Sequence, residues 1–154
     1  TPRSWERVSQ VMHAVSDRRV RDTMVAGTIG GAAAADFARV ADEIDSMVTV
    51  SDLLNTPRAK RLELYPSSMN GLVGLIYGLV AQTDEATIKD TIEVLADVRN
   101  LNTQAVSSLP LGELTSFGFE LLIRKALANG LEEAFRGSEA YADYARDRTD
   151  AGAP

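Results

Sequence analysis

The chain has 154 residues, 45% of them hydrophobic, with one histidine, no cysteine and a net charge of -6. That length and apolar content suffice for one core or for two small helical units sharing an interface. The absence of cysteine excludes disulfide scaffolds, thiol catalysis and cysteine-based metal sites, and the negative balance argues against unaided binding to nucleic acid. The longest apolar run, Gly71 to Ala81, is too short to cross a bilayer, and nothing resembles a secretory leader. The expectation is therefore a cytoplasmic chain with no membrane and no nucleic-acid partner. Because it opens at Thr1, inside a plausible helix cap, it reads as a fragment or processed product.

Thr1 and Pro2 suit a helix start, since the Thr hydroxyl can accept a free N–H and proline at the first position loses no hydrogen bond. Trp5, Val8, Val11, Met12 and Val15 then fall on one stripe of period near 3.6. Asp17 can cap a second helix running through Val25. After Gly27, Gly30 and Gly31, a third helix presents Phe37, Val40, Ala41, Ile44 and Val48. Met47 to Val50 is the only candidate strand. Ser51 can cap a further turn holding Leu53 and Leu54. Asn55 to Pro66, with two prolines and the basic group Arg58, Lys60 and Arg61, reads as a linker.

Beyond it, Leu72, Leu75, Ile76, Leu79 and Val80 define a helix whose Gly71, Gly74 and Gly78 would let another helix approach closely. Asp84 opens the next, with Ile88, Ile92 and Leu95 on its apolar face and Val98 or Arg99 at the boundary. Leu101 to Pro110 is a loop. Helices follow from Leu111 to Ala128 and from Leu131 to about Arg146, with Asn129-Gly130 as a left-handed stop. The expected fold is all-α, a bundle of about seven helices, with a division into two packed helical subdomains left open. The expected partition is 1–54, a linker over 55–66, a second helical part over 67–148, and a disordered tail over 149–154.

Little in this chain suggests chemistry. The segment AGTIGGAAAADFARV, Ala26 to Val40, lacks the lysine, the hydroxyl and the preceding strand that a phosphate-binding loop requires, so it reads as a helix stop followed by a helix start. One histidine, His13, cannot build a paired-imidazole metal site or relay and reads as a surface residue satisfied by a neighbour. Asp42, Glu43 and Asp45, and then Glu132 and Glu133, occupy adjacent helical positions that point apart, as expected of a solvated face. Arg18, Arg19 and Arg21 are balanced by Asp17 and Asp22. Phe135, Tyr141 and Tyr144 read as a packing stripe.

The opening TPRSWERVSQVM, joined to VAGTIGGAAAADFARV at this separation, resembles the region that begins at the sensor-two helix of MoxR-like AAA+ ATPases. PSSMNGLVGLIYGLVAQ, the helix from Asp84 to Leu101, and the leucine-rich Leu109 to Leu127 resemble the C-terminal helical extension of many of these proteins. The resemblance covers most of the chain and is strongest over Thr1 to Ile44. It implies that Arg3 is the sensor-two-like arginine, reaching the terminal phosphate of ATP held with Mg by a preceding core; the chain itself would hold no cofactor. A planar, permanently charged fork suits that contact, and a cation in a helix's first turn opposes the macrodipole. Trp5 would anchor the helix by packing.

The resemblance implies a non-catalytic lid and extension, coupling ATP state to remodelling or activation of other proteins. Its partners would be its own ATPase core, neighbouring subunits and a protein with a von Willebrand factor A domain. Walker A, Walker B, sensor-one and arginine-finger segments are absent from these 154 residues, so the chain alone would not be an enzyme. The alternative reading is a free-standing helical adaptor that binds a partner helix in an apolar groove.

Overall fold

The computed structural model describes the backbone of residues 1–45 and 50–150, and the side chains of residues 1–41 and 50–150. No strand occurs among the described residues, so the fold is all-α. Among the described residues seven helices are eleven residues or longer: α1 (Pro2–Ala14), α2 (Arg18–Ile29), α3 (Gly31–Asp45), α6 (Met69–Gln82), α7 (Ile88–Val98), α8 (Leu111–Asn129) and α9 (Glu139–Asp150). Two short ones, α4 (Val50–Asn55) and α5 (Arg58–Arg61), lie between α3 and α6. The chain divides into two compact units, Thr1–Ser46 and Met47–Pro154.

In the first unit the caps follow from side-chain chemistry. The Thr1 hydroxyl accepts from the Ser4 amide at 3.2 Å, and the Asp17 carboxylate accepts from the Val20 amide at 3.0 Å, each satisfying a donor that the helix leaves free. α2 runs past the expected Val25 to Ile29. It stops at Gly30, whose φ of +88° a side chain would resist, and α3 begins at the next residue. The glycine cluster is thus a one-residue corner between helices. Val8, Val25 and Ala34 form the buried centre, with Val11, Met12, Ala26, Ile29 and Phe37 packed around it. Trp5 departs from its expected role: it is 48% exposed, its ring meeting Phe37 at a centroid distance of 5.8 Å, and Val8 on the same helix is the buried anchor.

The second unit is built around α7. Ile88, Thr91, Ile92, Val94, Leu95, Ala96, Asp97 and Val98 are all buried, because α4, α6, α8 and α9 pack against this helix. An amphipathic stripe was the expectation. It is present: Lys89, Asp90 and Glu93 stay exposed on one side, and the buried face against α4, α6, α8 and α9 is wide enough to take in Val94, Ala96 and Asp97 as well. α6 contributes Leu72, Leu75, Ile76 and Leu79, and α8 contributes Leu114, Phe119, Leu122 and Ala126. The small residues of α6 and α8 admit close approach. A Cβ on Gly78 would stand 3.1 Å from a Val50 methyl of α4, and one on Gly118 would stand 2.8 Å from a buried Leu95 methyl. Lys125 of α8 donates to the carbonyls of Val80 and Ala81, both at 2.7 Å, supplying partners for the free end of α6.

Several boundaries differ from expectation. The first unit ends near residue 46, not 54, because Val50 and Leu53 of α4 are buried in the core of the second unit. Residues 55–66 are not a linker: they form α5 and a 3-10 turn (Leu62–Leu64), and bury Arg61 and Tyr65. The segment after Leu131 is a 3-10 turn (Glu132–Phe135), a glycine corner at Gly137 with φ +75°, and then α9. Gly130 does take the left-handed stop, at φ 67° and ψ 32°. Of the candidate strand, Met47 to Thr49 lie outside the described residues and Val50 is helical; of the expected tail, Thr149 and Asp150 belong to α9, and 151–154 lie outside. No helix among the described residues is long and apolar enough to cross a membrane.

Two predictions follow from the room around glycines and from a cap. Gly118→Val is expected to cost about 1–3 kcal/mol through overpacking, lowering the melting temperature of the second unit by several degrees, whereas Gly27→Ala, in an open position of α2, should gain about 0.5–1 kcal/mol; thermal melts followed by circular dichroism distinguish the two signs. The Asp84 carboxylate accepts from the Thr87 hydroxyl and from the amides of Thr87 and Ala86, which holds its pKa below the ordinary 3.8. Its contribution is therefore complete above the unfolded value and fades as pH falls through the lower folded one. The stability gap between wild type and Asp84→Ala should accordingly be widest at neutral pH and shrink in acid, as urea titrations at a series of pH values would measure.

Candidate functional site

The polar feature that the fold assembles lies in the second unit, where α5 crosses α7. Arg58 and Arg61 sit three apart on α5, hence on one face, and Glu93 and Asp97 sit four apart on α7. Asp97 is buried, with 3% of its side chain exposed. Its Oδ1 accepts from Arg58 Nε at 3.0 Å and Nη2 at 2.7 Å. Arg61 is equally buried, with 5% of its side chain exposed, and its Nη1 lies 3.8 Å from Asp97 Oδ2 and 3.8 Å from Glu93 Oε2. Its Nε donates to the Thr56 carbonyl at 3.3 Å.

Tyr65 closes the cluster by donating its hydroxyl to the Val94 carbonyl at 2.8 Å. Burial, reinforced by the Asp97 carboxylate, pushes its phenol well above the ordinary tyrosine range, so it stays protonated. The bond to Asp97 raises Arg58 in turn. A carboxylate compensated by two guanidiniums beside a protonated phenol offers neither a base nor a nucleophile at neutral pH. Its chemistry is that of a clamp, tying the segment 58–65 to α7.

Arg58 also faces a polar cleft of about 600 Å³ between α7 and the start of α9, lined among others by Lys89, Glu93, Arg99, Arg136, Glu139 and Asp143. Three of its four cations already have partners: Arg58 with Asp97, Arg99 with Asp147, and Arg136 with Glu133 at 2.9 Å. With three carboxylates in the same wall, the cleft mixes both signs and offers no concentrated charge by which to select a ligand. No group of three or more histidine, cysteine, aspartate or glutamate side chains is arranged to hold a metal ion among the described residues.

Arg3, the site residue expected from the sequence, stands in the first turn of α1 in the first unit. Its side chain is exposed, and its guanidinium makes no ion pair or hydrogen bond among the described residues. His13 is exposed, its Nδ1 lying 2.7 Å from the Ser9 carbonyl oxygen. Arg18 and Arg21 lie 3.6 and 4.0 Å from Asp22. The side chains of Asp42, Glu43 and Asp45 lie outside the described residues. Phe135, Tyr141 and Tyr144 do pack: Tyr144 stacks on Phe119 at 4.4 Å, and Tyr141 meets Phe119 and Phe135 edge-on.

The Asp97 cluster was missed in the sequence, where Arg58 and Arg61 read as part of a linker. The available signal was an aspartate embedded among Val94, Leu95 and Val98, a position that burial permits only with a cation opposite. Comparison with protein-family models, with curated proteins and with solved structures finds no match to this chain.

Removing one partner of a buried pair leaves the other uncompensated, so Asp97→Ala is expected to destabilise the second unit by about 3–5 kcal/mol. The double variant Arg61→Met/Asp97→Leu, which removes both buried charges and leaves the half-exposed Arg58 in water, should cost less than the single one. Urea unfolding of the three proteins measures the order.

Proposed function

We propose that this chain is the non-catalytic lid and helical extension at the C-terminal end of a MoxR-like AAA+ ATPase, working with a nucleotide-binding core and neighbouring subunits to remodel or activate other proteins. The observation that supports the reading is the state of Arg3. A guanidinium in the first turn of a helix opposes the macrodipole at a cost of about 0.3–1 kcal/mol, and here no carboxylate among the described residues offsets it. Its donors are free for an anion, and a planar fork with several N–H groups fits phosphate oxygens. A nucleotide with Mg, held by the core, would supply that anion. Ser4 lies beside it in a turn pinned by the Thr1 cap, so α1 carries the guanidinium as a rigid extension of the three-helix unit.

A second feature agrees. Among the described residues the first unit buries Val8, Val25 and Ala34 and leaves Trp5, Val20 and Met24 about half exposed, a small core for a unit standing alone. Such a unit gains by packing against another body, as a lid does. In this reading a von Willebrand factor A domain protein is a candidate client of the assembly.

The test uses the natural full-length polypeptide. Arg3→Ala is expected to lower ATP turnover at least tenfold, Arg3→Lys to lower it less, and added nucleotide to protect the amides of α1 from hydrogen exchange in the wild type but not in Arg3→Ala. A full-length protein that binds no nucleotide, or an Arg3→Ala variant with unchanged turnover and protection, would overturn the reading.

A further inference from the structure

α8 presents Glu113, Phe117 and Glu120 at positions i, i+4 and i+7, so the three side chains share one stripe about two turns, or roughly 10 Å, long. Facing them, α9 presents Tyr144, Asp147 and Arg148, and the space between is a groove of about 580 Å³. Its floor is aromatic: Phe117 and Tyr144 line it, and Tyr77, 54% exposed, meets Phe117 edge-on with ring centroids 5.5 Å apart.

Of the groove's two cations, Arg99 is neutralised by an ion pair and Arg148 keeps its charge beside Glu120. Arg99 pairs with Asp147, and Arg148 donates to the Tyr144 hydroxyl at 3.1 Å. Glu113 and Glu120 are exposed and form no ion pair among the described residues, although Glu120 acts on Arg148 at longer range. The surrounding field has the same sign, since residues 47–154 carry fifteen carboxylates against ten lysines and arginines, a net of -5.

We propose that this α8–α9 groove docks a short amphipathic helix from another protein, one that sets apolar side chains on the Phe117–Tyr144 floor and a pair of lysines or arginines, seven residues apart, against Glu113 and Glu120. A groove flanked by two turns of α8 and floored by Phe117 and Tyr144 fits apolar anchors at i, i+3 or i+4, and i+7. The unpaired carboxylates set the partner's charge and reject an acidic helix by repulsion. The inference does not rest on the nucleotide reading, because it concerns the second unit alone.

The test presents the whole chain as bait to a displayed library of amphipathic helices with randomised flanks. Selected helices are expected to carry basic residues at seven-residue spacing beside an apolar stripe. A peptide made from them should move amide resonances of α8 and α9, and should bind Glu113→Lys/Glu120→Lys at least tenfold more weakly and Glu113→Gln/Glu120→Gln to an intermediate degree. The glutamine variant carries the test by itself should the charge-reversed chain misfold. A selection that yields no binder or only acidic or neutral flanks, resonances that move elsewhere, or affinities indifferent to these substitutions would overturn the proposal.

Discussion

The second unit depends on covering the wide buried face of α7. Lys89, Asp90 and Glu93 reach solvent, but where α4, α6, α8 and α9 cover the helix a polar group must find a partner within the protein, and Asp97 is the one on that face that carries a charge. Burying a carboxylate alone is prohibitive, so the cations that compensate it have to come from a segment brought across α7 for the purpose. The short α5, bounded by Pro57 and Tyr65, delivers Arg61 and Arg58 to that carboxylate, and the Tyr65 hydroxyl fastens the far end of the segment to a carbonyl of the same helix. The pairing is imperfect, since Arg61 Nη1 and Asp97 Oδ2 have no hydrogen-bond partner. Such a cluster adds little net stability. What it does is tie residues 58–65 to α7, through Arg58 and Arg61 at one end and the Tyr65 hydroxyl at the other.

The first unit solves a different problem. Among the described residues its three helices bury Val8, Val25 and Ala34, a small core to set against chain entropy, and local devices fix its turns. The Thr1 and Asp17 caps fix two helix starts, and Gly30 turns α2 into α3 within one residue. These devices specify direction economically and leave Trp5, Val20 and Met24 facing outward. The two units therefore differ in kind: one is held by a core and a compensated charge, the other by its corners and by whatever covers its apolar face.

Much of the helical order was legible from the sequence, and for stated reasons. Capping residues, the Asn129-Gly130 stop and the apolar stripes of α6 and α8 act over three or four residues, so their effect survives in any tertiary setting. Where the reading failed, long-range contacts had changed what a local pattern meant. Two prolines and three basic residues between 55 and 66 carry the composition of a linker, yet Arg61 lies against Asp97, thirty-six positions further on. Trp5 has the size of a core residue and lies at the core's edge instead, because the centre formed by Val8, Val25 and Ala34 has no place for it.

The sequence by itself determined the fold class, the approximate number of long helices and the places where the chain turns, since these follow from backbone propensity, capping and the period of apolar residues. Folding was needed to set the division before α4, to carry the burial of α7 as far as Asp97, to bring Arg58 and Arg61 to that carboxylate, and to leave an acid-rimmed groove between α8 and α9. The reason is that burial is a property of neighbours: a side chain's spacing says which face it shares, but the desolvation that makes a charge costly or a ring a floor is set by helices distant in the chain.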